Sequence, residues 1–173
     1  MTTPLTITDR LRRCSRSAVH LEMRDGYMQS DPRFVAWQAG ERPDLSAAGP
    51  HREWSSLISD VATSGVRIRR ARIVSEPVSD YVRFEHYMTS SNEAAGEEVR
   101  WLPRRQASDL LLPGNDLWLF DDETALFLHF DGDGELAPDD EDEVTDPEVV
   151  EACAASFELV WQRAVPHADY RLK

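Results

Sequence analysis

The sequence predicts a single α/β domain, with an α+β arrangement also open, and three observations lead to it. A chain of 173 residues is long enough for one substantial hydrophobic core and too short for two. From His51 onward, stretches whose apolar residues recur at three and four alternate with short runs rich in β-branched residues, the pattern of helices laid on a sheet. Leu117 to Phe120 and Ala125 to Phe130 are apolar runs separated by Asp121, Asp122, Glu123 and Thr124, which reads as a β-hairpin. The expected architecture is a central mixed sheet of about four to five strands. That hairpin closes it, and helices over His51 to Ser64, Val78 to Ser91 and Glu148 to Val165 flank it.

At the start, Thr8 or Asp9 can cap a short helix reaching Ser17. Val19, Leu21 and Met23 then alternate with His20, Glu22 and Arg24, the period of a half-buried strand, although a helix carried through to Met23 stays open. Asp31-Pro32 is an N-cap followed by proline at the first helical position, leading Phe34, Val35 and Trp37 into a helix that stops at Gly40. Glu41 to Pro50 is a surface loop. From His51, Trp54, Leu57, Ile58, Val61 and Ala62 form an apolar stripe ended by Gly65. In VRIRRARIV the apolar positions change parity, with Val66, Ile68 and Val74 on one face and Ala71 and Ile73 on the other, as in a strand covered on both sides. Pro77 ends it, and Ser75 or Ser79 caps the next helix. Val99 to Leu102 is a short strand closed by Pro103, and Pro113-Gly114-Asn115-Asp116 is a turn. Asp146-Pro147 opens the last helix, with Val150, Cys153, Ala154, Phe157, Val160 or Trp161, and Ala164 inward, and Pro166 closes it.

The net charge of −13 is local. Ten acids and no base lie between Asp131 and Glu148, so residues 131–146 read as a mobile acidic loop, and the rest of the chain is close to neutral. That balance argues against a surface that coats nucleic acid. No apolar stretch is long enough to span a membrane, and MTTPLTITDRLRR lacks an export signal, so the expectation is a cytoplasmic protein. Cys14 and Cys153 are then expected to be reduced.

All bases but Lys173 are arginine, and eight of them cluster: Arg67, Arg69, Arg70, Arg72, Arg83, Arg100, Arg104 and Arg105. If their strands are neighbours, Arg70, Arg72, Arg83, Arg100, Arg104 and Arg105, with Trp101, form a candidate anion site for a phosphate or carboxylate. The alternative is pairing with Glu76, Asp80, Glu85, Glu97 and Glu98, which lie in the same unit, and this is the commoner fate of such charges. FDGDGELAPDDE has acids at alternate positions but Leu136 where a calcium loop needs glycine, so no metal site is expected. His86, His129, Ser75, Ser79, Glu85 and Asp121 stand in no triad or nucleophile elbow, so no catalytic set and no cofactor are assigned.

The runs RARIVSEPVSDYVRFEH, AGEEVRWLPRR, LPGNDLWLFDD, FDGDG and SFELVWQRAVPHADY resemble the actinobacterial domain-of-unknown-function family 6879 over nearly the whole chain. A vaguer similarity runs to phospholipase-D-like regulatory domains that have lost their catalytic histidine and lysine; this chain has no His-x-Lys motif. The family resemblance implies a protein that works beside helix-turn-helix regulators and carries over no catalytic residue. The resulting expectation is a non-enzymatic regulatory protein whose partner is a DNA-binding regulator, with no direct contact to nucleic acid or membrane. The alternative is a sensor or enzyme that holds a small anionic ligand on the arginines.

Overall fold

The computed structural model describes residues 5–45 and 52–173, apart from the side chains of residues 138 and 139. Part of the surface loop expected up to Pro50, and the expected helix start at His51, lie outside these residues. The described elements are α1 (Ile7–Arg13), β1 (Ser17–Glu22), α2 (Pro32–Gln38), α3 (Arg52–Thr63), β2 (Arg67–Val74), α4 (Asp80–Ala94), β3 (Glu97–Pro103), β4 (Asp116–Phe120), β5 (Thr124–Phe130), β6 (Leu136–Val144), α5 (Pro147–Arg163) and β7 (Val165–Pro166). They build one open sheet in the order β6-β5-β4-β1-β2-β3-β7. The β1, β2 and β3 strands run parallel, and the remaining pairings are antiparallel.

Period-2 alternation sorts every central strand between two faces. Leu21, Ala71 and Leu117 share a register row and point to α5, where Val150, Cys153, Phe157, Val160 and Trp161 complete an apolar layer. One residue along, His20, Arg70 and Trp118 share a row on the opposite face, under α3 and α4. The change of parity in VRIRRARIV is therefore two buried faces on one strand. Each large side chain sealed here, such as Ile68, Ile73 or Leu117, contributes about 1.5–3 kcal/mol.

Local signals account for the boundaries. Thr6 and Asp9 form a reciprocal capping box at α1, so the cap lies two residues before the expected Thr8, and Asp9 is its third helical residue. Asp31 and Asp146 cap α2 and α5, each followed by proline, and Ser79 caps α4. Gly96 turns α4 into β3 at φ +103°, and a Cβ there would come within 2.9 Å of the Ala62 Cβ, so glycine serves both the turn and the helix contact.

Two expectations are corrected. The sheet has seven strands, because the acidic run continues the hairpin as β6 and the chain after α5 adds the two-residue β7. Residues 136–144 are therefore strand, where a loop was expected over 131–146. Backbone pairing with β5 needs no apolar side chains, and an edge position leaves carboxylates facing water. The preceding FDGDGE is the connecting turn, in which the Asp131 carboxylate accepts the amides of Asp133 (2.9 Å) and Glu135 (3.0 Å).

Candidate functional site

The face of β1 and β2 opposite α5 is not filled by apolar packing alone. It borders a cavity of about 480 Å³ roofed by α2, α4 and the β5–β6 hairpin. The strands deliver ionisable groups to its floor at alternate positions: His20 and Glu22 from β1, Arg70 and Arg72 from β2, and Asp116 from β4. From the roof, α4 brings Glu85 and Asn92. Tyr27, Tyr81, Phe84, Phe130 and Trp118 make much of the remaining wall.

The buried charges neutralise one another. Arg70 donates from Nε to Glu97 Oε1 (2.7 Å) and from Nη1 to Glu22 Oε1 (2.8 Å). Arg72 Nε lies 2.9 Å from Glu22 Oε2, and its Nη1 meets Glu85 Oε2. Asn92 Nδ2 donates to the second oxygen of Glu97 (2.7 Å). Burial alone would raise the Glu22 carboxyl, but Arg72 and Arg70 outweigh it and draw it down to about 2. Glu85 answers the other way: burial dominates its contact with Arg72, and its carboxyl rises to about 7. Burial also lifts Asp116 to about 6, against hydrogen bonds from the Tyr27 hydroxyl and the Met23 amide (2.9 Å).

The Arg72 Nε and Nη1 and Glu22 Oε2 contacts are ion pairs without hydrogen-bond geometry, and His20 lies beside them with no hydrogen bond of its own. Its ring stacks on Trp118 at 4.2 Å, it is 7% exposed, and neither ring nitrogen has a hydrogen-bond partner among the described residues. Nδ1 is 3.5 Å from Glu22 Oε1, beyond a well-formed hydrogen bond. Burial drives its pKa down to about 3, so the imidazole is neutral and keeps one nitrogen lone pair for a donor from the cavity.

The arginines grouped by the sequence are divided by the sheet. Of the predicted anion-site residues, only Arg70 and Arg72 reach the cavity. Arg100 lies on the α5 face, over the Trp161 ring at 4.4 Å and donating to the Trp161 carbonyl (3.1 Å). Arg83 is on the outside of α4, 4.0 Å from Asp80, and Arg105 is exposed on the 3₁₀ turn after β3. Arg104 is a structural clamp on the Met23 carbonyl (2.6 Å), the Ile73 carbonyl (3.2 Å) and Asp25 (3.2 Å). Trp101 is sealed in a separate cluster, stacked on Tyr170 and donating to His167 Nδ1 (3.1 Å). Pairing with the local acids is what the geometry displays: Arg67 with Glu98, Arg70 with Glu97, Arg72 with Glu85 and Arg83 with Asp80, while Glu76 accepts from Tyr170 instead. His20, Glu22, Tyr27 and Asp116 escaped sequence reasoning. The polar half of an alternating strand reads as solvent-facing, and the only signal to the contrary was a helical cover over both faces of the sheet.

Fold and site together define an α/β domain with an open mixed sheet and an internally neutralised ionic cavity. The chain belongs to the family described as a domain of unknown function (DUF6879), whose model matches residues 6–172. No curated protein matches its sequence. Among solved structures it is similar to NucT from Helicobacter pylori (10% identity, TM-score 0.53, 92% of this chain and 87% of that one). It is also similar to Nuc, a phospholipase D family member from Salmonella typhimurium (11% identity, TM-score 0.50, 95% and 88%). These two likenesses show a shared fold. A third similarity, to the archaeal chromatin protein TrmBL2, has 13% identity, a TM-score of 0.47 and 91% of this chain, which spans 47% of that one. No described helix is long and apolar enough to cross a membrane.

Proposed function

We propose that this domain is a non-enzymatic sensor that binds a small organic molecule in the cavity between β1, β2 and α4 and signals its presence through β6 to a protein partner. The carrying observation is His20, a buried side chain on the cavity wall with both ring nitrogens unpartnered. An uncompensated buried polar group costs about 1–3 kcal/mol, which a ligand donor at that site would relieve. The volume of about 480 Å³ falls in the range of small-molecule sites, and mixed aromatic and polar walls are their usual lining. The neighbouring carboxylates and guanidiniums engage one another, which favours recognition over turnover.

The route outward is β6. Leu136, Asp140 and Glu141 border the cavity, and the same strand forms the exposed edge of the sheet with Glu141, Asp142 and Glu143. An acidic edge suits a basic surface, and the DNA-binding regulator anticipated from the family resemblance is a partner of that kind. A thermal-shift screen of neutral, cationic and anionic small molecules tests the cavity. Binders should raise the melting temperature of the wild type, and Leu136→Trp, a change at an exposed rim position, should abolish the response. Hits that ignore Leu136→Trp, or a screen with none, would remove the proposal. Titrating a basic helix-turn-helix regulator with and without a hit tests the partner arm, and an affinity that the hit leaves unchanged would remove it.

A further inference from the structure

We infer that the cavity selects an organic cation, an amine carried on an aromatic or apolar body. This rests on the proposal that the cavity is a ligand site and adds the charge of what enters it.

The guanidiniums on the cavity wall are already paired. Arg70 is held by Glu22 and Glu97, Arg72 by Glu22 and Glu85, and Arg33 by Asp31. An incoming anion would have to displace buried carboxylates from these guanidiniums and leave them unpaired, at high cost. What remains on the wall is carboxylate: Asp116 on the floor, and Asp140 and Glu141 at the β6 rim. The hydrogen bonds to the Asp116 side chain come from neutral donors, the Tyr27 hydroxyl and the Met23 amide, with the Arg24 charge acting on it without a hydrogen bond.

Neutral His20 adds an acceptor on the same floor, a second observation independent of the acids. An ammonium brings three donors and no acceptor, the complement of a wall made from carboxylates and a free imidazole nitrogen. Tyr27, Tyr81 and Phe130 surround the same space, and their ring faces attract a cation as well as apolar carbon. Burial raises both Asp116, faced by Tyr27, Glu22 and Arg24, and Glu85, faced by Arg72, Glu22, Arg70 and Tyr81, so a further positive charge beside either carboxylate would be favourable. A metal ion is the poorer candidate, because no group of three His, Cys, Asp or Glu side chains among the described residues is placed to hold one.

Tryptamine, tryptophol and indole-3-acetate share a body and differ in charge, so calorimetric titration of the full chain with each reads the selection directly. Tryptamine should bind at least about tenfold more tightly than the alcohol, and the acid should be weaker still. Asp116→Asn should weaken tryptamine by about tenfold while changing tryptophol little. Glu141→Gln, at an exposed rim position, gives the same comparison in a variant that keeps the buried network. Indole-3-acetate binding as tightly as tryptamine would overturn the cation inference and leave the ligand site standing. Saturable binding by none of the three overturns the inference as well. A wider screen that yields no Leu136→Trp-sensitive hit is the separate result that would end the cavity proposal itself.

Discussion

Arg70→Met removes the centre of the buried network and tests whether it is as closed as its geometry implies. The substituted side chain keeps much of the volume and loses the charge. Arg70 and Glu22 side chains are each 9% exposed and Glu97 is 0%, so water has little access to the carboxylates left behind. Glu97 would keep only Asn92, and Glu22 only Arg72. Breaking one member of such a group costs about 3–5 kcal/mol, a large share of a typical domain's stability. In a chain of this size that lowers the melting temperature by roughly 10 °C. The sign of the pH dependence follows from Glu22. Its folded pKa of about 2 lies below the ordinary 4.5, so its stabilising contribution is complete above 4.5 and is lost as pH falls toward 2. In Arg70→Met the cation that held it down is halved, its pKa rises, and protonation relieves the unpaired charge. Urea unfolding should therefore give the full loss at pH 7 and a clearly smaller one at pH 4. A loss below about 1 kcal/mol at pH 7, the scale of a solvated surface pair, or a loss equal at both pH values, would refute the reasoning. Adding Glu97→Gln to Arg70→Met should recover part of the stability, because it removes the orphaned charge.

Asp116 carries the opposite sign. Its folded pKa of about 6 lies above the ordinary 3.8, so the stability it contributes is complete below 3.8 and is lost as pH rises through 6. Asp116→Asn does not titrate, so its stability relative to the wild type should improve by about 2 kcal/mol between pH 4 and pH 8 in chemical denaturation. Arg104→Ala and Arg105→Ala separate a clamp from a surface charge. The first loses bonds to two carbonyls and Asp25 and should cost about 2 kcal/mol; the exposed second should change stability by less than about 0.5.

Much of the scaffold was legible because its signals are local. Asp31-Pro32, Asp146-Pro147 and Ser79 cap helices through their own side chains, and the hairpin between Leu117 and Phe130 is written in adjacent apolar runs. The β6 strand was not legible, because what makes it a strand is the backbone of β5, and no property of its acidic side chains announces that neighbour. The site failed for a related reason. Arginine spacing along β2 is visible, but alternation sends Arg69 to Phe157 and Trp161 and Arg70 to Glu97 and Glu22, so residues adjacent in sequence face different chemistry. His20 and Glu22 lie on the strand half that an isolated reading gives to solvent, and only their burial beside α4 reverses that.

The contrast between the two faces of the sheet bears on why the network exists. Leu21, Ala71 and Leu117 pack against α5 through apolar contacts, so these same strands are held well without buried charge. Well-packed apolar substitutes for buried ion pairs are commonly neutral or stabilising. A fold that wanted only stability would have little use for Glu22, Arg70, Arg72, Glu85 and Glu97 on the other face. Most of those groups sit where the sheet borders the cavity, and their mutual pairing holds the floor rigid while leaving the His20 ring nitrogens without a partner among the described residues. Rigid support beneath a few unsatisfied groups is what a binding site needs, because the ordering cost falls on folding and not on the ligand. On the reading proposed above, the network serves as the foundation of a recognition surface more than as a source of stability, and replacing it as a whole by apolar residues should cost binding more than folding.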